Sequence, residues 1–165
     1  MAEGEFALGK EQLETALHKK MIARADRIST PGGDHDLYAW LADIAVQQRD
    51  EAALRQYAPK AEESATGLEH RLYRAIAHRA WGVAHRLAGE YTDAEARLNK
   101  ALALFTELET RWQIGRTLLE CGELAKAQGD LSRARSYFGR ALTAFEFMRA
   151  EPMVGRTRAI LATLP

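Results

Sequence analysis

The sequence predicts an all-α solenoid of antiparallel helix pairs, and three observations carry that reading. First, residues 80–105 (AWGVAHRLAGEYTDAEARLNKALALF) recur forty positions later, at 120–145, as ECGELAKAQGDLSRARSYFGRALTAF. Gly82 meets Gly122, Gly89 meets Gly129, Ala94 meets Ala134, Leu98 meets Phe138 and Phe105 meets Phe145. The register continues where Gly115-Arg116-Thr117 meets Gly155-Arg156-Thr157. A fixed period of this size marks a repeat architecture. Second, apolar and small residues in each copy fall at i, i+3, i+4, i+7, the stripe of an amphipathic helix. Third, a glycine divides each copy, as expected of a helix that stops and restarts.

In chain order, residues 1–6 read as a cloning scar, because Glu5-Phe6 is what a common cloning site encodes. The chain is then expected to be a fragment of something larger. Residues 7–29 predict an unpaired first helix with Leu13, Ala16, Leu17 and Met21 inward. Thr30-Pro31-Gly32-Gly33 is the one clear loop. Residues 34–66 read as a degenerate repeat, with Tyr38, Leu41, Ala42, Ala45 and Ala61 at the right offsets. Its turn glycine has become Arg49, Asp50 is the expected cap, and Leu54 stands where a small alanine belongs. A one-residue deletion would bring Ala53 and Tyr57 into register but misplace Ala61, so two registers stay open. Pro59 is expected to kink the second helix or shorten its start.

Residues 69–108 and 110–148 form the two clear repeats. Gly89 and Gly129 end their first helices, and Asp130 caps the next one. In the earlier copy either Glu90 or a Thr92–Glu95 capping box serves. Gly82 and Gly122 lie inside helices, where glycine costs about 1 kcal/mol relative to alanine. Their offsets to Ala94 and Ala134 predict a close helix crossing there, with Leu98 and Phe138 filling the space where the pair opens. Residues 151–165 give a final unpaired helix. Its Met153, Val154, Ile160, Leu161 and Leu164 suggest exposed apolar surface and weak self-association through a terminal helix. The total is about eight helices.

At these residues the chain resembles the tetratricopeptide repeat, a helix-turn-helix unit with a small residue at position 8, Gly at 15, Ala at 20, a large apolar residue at 24 and Ala at 27. These positions fall on Gly82, Gly89, Ala94, Leu98 and Ala101, then on Gly122, Gly129, Ala134, Phe138 and Ala141. The family's Trp, Tyr and Pro positions hold other residues, His78, His85 and Thr106, then Leu118, Ala125 and Glu146. The period is longer than the family's usual one and resembles the repeats of bacterial multidomain signalling proteins, such as maltose-regulator-type activators and nucleotide cyclases. The resemblance implies a right-handed solenoid whose first helices line a concave, partner-binding surface. Transferred by position, that surface comprises Asp36, Trp40, Asp43 and Val46, then Arg79, Val83 and Arg86, then Arg116, Glu120, Glu123 and Lys126, and finally Arg156. Arginines beside acids would suit a partner carrying both carboxylates and guanidiniums. The alternative is a solvated face with i, i+4 pairs such as Arg116–Glu120. The Lys and Asn pattern by which some members clamp a peptide C-terminus is absent.

Composition narrows the function further. Lys plus Arg equals Asp plus Glu at 23 each, a balance that argues against a nucleic-acid binder. No apolar run approaches the roughly eighteen residues of a membrane span. The single Cys121 cannot form an internal disulfide, which fits a reducing cytoplasm, and its place in the repeat makes it a packing thiol. No phosphate loop, H-E-x-x-H or cysteine-rich metal spacing occurs. His78 and His85 lie two turns apart without a third ligand, Asp34 and Asp36 suit a helix start, and Cys121, Ser132 and Ser136 have no base in register. The expected protein is therefore no enzyme and takes no metal or cofactor. It is a protein-interaction module; a structural spacer or oligomerisation segment and a small-molecule sensor domain are the alternatives.

Overall fold

The computed structural model describes residues 35–165, with side chains from Leu37 onward. The expected scar, the helix at 7–29, the loop at 30–33 and the Asp34 and Asp36 side chains lie outside the described residues. Seven helices follow one another: α1 (His35–Gln48), α2 (Glu51–Gly67), α3 (Arg71–Leu87), α4 (Tyr91–Glu107), α5 (Arg111–Ala127), α6 (Leu131–Phe147) and α7 (Glu151–Ala162). Each packs on the next, and α1, α3 and α5 also stack on one another. Three antiparallel pairs and a last single helix therefore make an all-α solenoid. Among the described residues there is no strand.

The turns between helices all share one geometry. At the end of α3 the Gly89 N–H donates to the Arg86 carbonyl (3.1 Å) and the Glu90 N–H to the His85 carbonyl (2.9 Å). This pair of bonds is the Schellman arrangement, which needs a left-handed residue. Gly89 and Gly129 meet that need with φ of 79°. The same bonds close the other four turns around Arg49, Glu69, Glu109 and Arg149, with φ between 51° and 57°. A non-glycine residue costs roughly 1–2 kcal/mol there, a cost the packed helix ends must offset. Caps vary more. Asp50 accepts from the Ala53 N–H (3.0 Å), Asp130 from the Arg133 N–H (2.9 Å), and His70 Nδ1 from the Tyr73 N–H (3.4 Å). The Thr92–Glu95 capping box does not form: Glu90 is the cap residue, and its carboxylate pairs with His85 and Arg55 instead of a backbone N–H.

The interior glycines are seats for large side chains. A Cβ on Gly122 would lie 2.5–2.7 Å from the Phe138 ring, and one on Gly82 2.6 Å from Leu98 Cγ. At Gly122 the ring supplies the three nearest atoms, so the seat is set first by the Phe138 side chain. At Gly82 the Ala94 carbonyl would lie 3.3 Å away besides. Gly115 seats Phe145 in the same manner (2.8 Å). Phe138 and Phe145 are fully buried in these seats, each a gain of about 1.5–3 kcal/mol.

The degenerate pair uses the same register without a deletion. Counted from the caps Asp50, Glu90 and Asp130, the buried positions that recur are Leu54, Ala58, Ala61 and Ala65; then Ala94, Leu98, Ala101 and Phe105; then Ala134, Phe138, Ala141 and Phe145, with Tyr57 buried besides in the first. Leu54 and Ala58 exchange the small and large positions of the other repeats. Ala42 accordingly stands where Gly82 and Gly122 stand, because Ala58 leaves room for its methyl. Pro59 neither ends α2 nor delays its start, and it sits on an exposed face.

At the chain's far end α7 is better covered than its sequence suggests. Val154 and Leu164 are buried, and Met153, Ile160 and Leu161 pack against the α5–α6 core. Arg135 donates to the Leu164 carbonyl (2.9 Å). Among the described residues none of the exposed large apolar side chains lies on α7, and Met153, Ile160 and Leu161 are half-buried.

A polar cluster joins the second and first helices of neighbouring pairs. Arg97 donates to Glu62 (2.6 Å) and to His78 Nδ1 (2.9 Å), and the Trp81 indole N–H donates to Glu62 (2.9 Å). Accepting from a guanidinium requires a neutral imidazole. Burial, reinforced by Arg97, Lys100 and Arg74 and opposed by Glu62, holds the His78 pKa below its usual 6.5.

Two predictions follow from this packing. Gly122→Ala should destabilise by roughly 1–3 kcal/mol through overpacking, whereas Gly155→Ala, where a Cβ meets nothing within 4 Å, should be neutral or stabilise by up to about 1 kcal/mol. Urea titrations of the two variants check this, and equal effects would contradict it. For His78 the stabilising effect is complete above pH 6.5, the unfolded value. It is lost as pH falls toward the depressed folded value, because only the unfolded chain takes up the proton. Stability should therefore drop between pH 7 and 5.5 more steeply in the wild type than in His78→Gln, as measured by denaturation midpoints at each pH.

Candidate functional site

The described first helices carry an uneven set of charges that meet side by side. Asp43 of α1 is engaged at both oxygens: Oδ1 accepts from Arg79 of α3 (2.7 Å) and Oδ2 from Arg116 of α5 (2.7 Å). Glu120 of α5 reciprocates, its Oε2 accepting from Arg86 of α3 (3.3 Å) and from Arg49 in the α1–α2 turn. Each acid thus holds an arginine from the neighbouring pair and another from the pair beyond.

Arg79 is fully buried. Its Nη1 donates to Gln113 Oε1 (2.7 Å) and Thr117 Oγ1 (3.4 Å), and its guanidinium lies 5.1 Å over the Phe105 ring. Burial lowers its pKa to about 10, against the support of Asp43. Burial alone would raise the Asp43 carboxyl, but Arg79 and Arg116 together hold it below the usual carboxylate range. Both groups stay charged near neutrality. The Nε atoms of Arg79 and Arg86 are buried without a hydrogen-bond partner, so the ladder is short of acceptors.

Above the ladder lies a cavity of about 30 Å³ lined by Val46, Gln47, Arg49, Arg79, Arg116, Leu119, Glu120, Met153 and Arg156. Since a water needs roughly 10–15 Å³ of such space, the cavity suits one side-chain tip and not a molecule buried whole. α1, α3, α5 and α7 all contribute to it. Arg156 is exposed and forms no ion pair among the described residues.

Of the residues transferred by position, Asp43, Arg79, Arg86, Arg116 and Glu120 belong to the ladder, and Val46 and Arg156 line the cavity. Val83 is fully buried in the α1–α3 core, and Arg79 has no exposed surface; neither is presented to a ligand. Trp40 and Lys126 are exposed and Glu123 is half-buried, away from the cavity. The Asp36 side chain lies outside the described residues. Arg116 and Glu120 do not pair with each other as an i, i+4 couple, because each has a partner on another helix. Position transfer missed Gln47, Arg49, Leu119 and Met153. Arg49 could have been found as the charged residue standing at a turn position that favours glycine.

Elsewhere, Cys121 is buried and its thiol is pushed up to about 12 by burial and the neighbouring Glu120, which makes it an inert packing group. His78 faces Arg97 and Glu62, while His85 faces Glu90.

The family model described as tetratricopeptide repeat matches residues 73–146. That span holds α3 through α6, the two pairs whose glycine seats and turns are closest in form. Residues 73–146 are thus similar to tetratricopeptide repeats. The α1–α2 pair has the same turn geometry and buried positions outside the matched span. Among curated proteins no sequence match accompanies this one. Tetratricopeptide repeats generally mediate protein–protein interaction.

The ladder yields a stability prediction. Asp43→Ala leaves Arg79 buried and uncompensated, and should cost about 3–5 kcal/mol. Arg156→Ala, at an exposed and unpaired position, should change stability by no more than about 0.5 kcal/mol. Chemical denaturation of both variants checks the contrast.

Proposed function

We propose that this chain is a non-catalytic interaction module that binds a peptide or an extended protein segment across α1, α3, α5 and α7. The observation that carries the reading is the cavity shared by these helices, with polar and charged groups from four successive units converging on one place. An extended segment can cross several units and place one side chain in the cavity. Exposed Trp40 adds an aromatic anchor on α1, and buried aromatic and arginine anchors dominate binding energy at such interfaces. The solenoid is rigid where it matters: three of the cavity's charged groups, Arg49, Arg116 and Glu120, are already paired, so little ordering is needed on binding.

The setting we propose is a segment of a larger signalling or regulatory protein in a reducing compartment, the cytoplasm. The long repeat period and the free buried thiol of Cys121 support it. No helix among the described residues is long and apolar enough to cross a membrane.

Selection of binders from a random peptide library, followed by hydrogen-exchange mapping, tests the reading. Bound peptides should protect or perturb α1, α3, α5 and α7. Binding that maps to α2, α4 and α6, or a library that yields no binder, would overturn it.

A further inference from the structure

The side chains around the cavity carry charge of one sign in excess. Four arginines, Arg49, Arg79, Arg116 and Arg156, line it against one acid, Glu120, leaving three positive charges unbalanced. Adding the two ladder members behind it, Asp43 and Arg86, changes nothing, since they cancel. The whole chain has formal net charge zero, so this excess is local to the site.

The two acids have little left to offer a partner. Both oxygens of Asp43 accept from arginines, and Glu120 holds two arginines on one oxygen. A guanidinium on a partner would find one remaining oxygen of Glu120, an acid already shared by two arginines, and would meet four like charges. The arginines are in the opposite condition. Each guanidinium has five N–H donors, yet among the described residues Arg116 donates one bond, to Asp43, and Arg156 has no ion-pair partner. An anion that enters the cavity supplies acceptors for these unused donors in charge-assisted bonds.

We infer that the cavity takes the carboxylate of an Asp or Glu side chain on an acidic peptide. Arg116, Arg156 and Arg49 hold the carboxylate, and an apolar neighbour on the peptide rests on Val46, Leu119 and Met153. The inference rests on the peptide-binding reading above and narrows it: the expected mixture of carboxylates and guanidiniums on the partner reduces to carboxylates. Arg79 acts here as a positioning residue, because it fixes Asp43 and has no surface of its own.

The test uses peptides selected from a random library as binders that map to the first helices. They should be rich in Asp and Glu. Replacing those residues by Asn and Gln should weaken binding about tenfold or more, the size expected for losing charge-assisted bonds. Rising salt should weaken binding as well. Arg156→Glu should lower affinity by a similar factor and Arg156→Lys by less, without a change in denaturation midpoint. Arg49→Gly supplies a second variant, because glycine suits the left-handed backbone at that turn and Arg86 still holds Glu120; it too should weaken binding, with its denaturation midpoint measured alongside. Binders that map to the first helices but lack acids, or whose affinity ignores Arg156→Glu and Arg49→Gly, would overturn the inference and leave the peptide-binding reading standing. Failure of any peptide to map there would overturn both.

Discussion

Asp43 and Glu120 are the two anions on which the arrangement of this solenoid's inner face depends. In a helical repeat array each unit ordinarily touches only its neighbours. Here Asp43 of the first described pair reaches Arg116 of the third, and Glu120 of the third reaches Arg49 at the turn of the first. The pair between them contributes Arg79 and Arg86 to the same two carboxylates. Such a ladder adds little net stability over apolar packing, because desolvating Arg79 offsets much of the Coulombic gain. What it adds is a penalty for any arrangement that parts the partners, since each separation strands a buried charge.

The rest of the packing obeys a size rule that repeats from pair to pair. Where the second helix brings a large residue, Leu98 or Phe138, the first helix offers a glycine, and where it brings Ala58 an alanine suffices. The forty-residue self-similarity exposed this rule in the two regular repeats, because both members of each couple recur together. In the α1–α2 pair the rule was hidden: Leu54 and Ala58 had exchanged sizes, so a search for a small residue at one fixed offset left two registers open. Counting from the cap Asp50, expected from the sequence and shown by its bond from the Ala53 N–H, resolves them.

The site was legible in part, for a physical reason. Position transfer finds residues that point off the first helices, so it reached Asp43, Arg86, Arg116, Glu120 and Arg156. It cannot tell which of these are consumed by partners two units away, because that depends on how the units stack. Arg79 and Val83 illustrate the limit: their positions match, but stacking of α1, α3 and α5 closes over both. Arg49 escaped because it occupies a turn, where the pattern calls for glycine. The caps carried a similar ambiguity, since a Thr92–Glu95 box and a plain Glu90 cap read equally well until Glu90 is seen paired with His85 and Arg55.

The measurement closest to the central claim is a double-mutant cycle across two units, Asp43→Asn with Arg116→Gln, read by chemical denaturation. A direct ion pair between the first and third pairs predicts a coupling energy of about 1–3 kcal/mol. Additivity within about 0.5 kcal/mol would mean that the two residues do not share an interaction, and would contradict the crossed ladder.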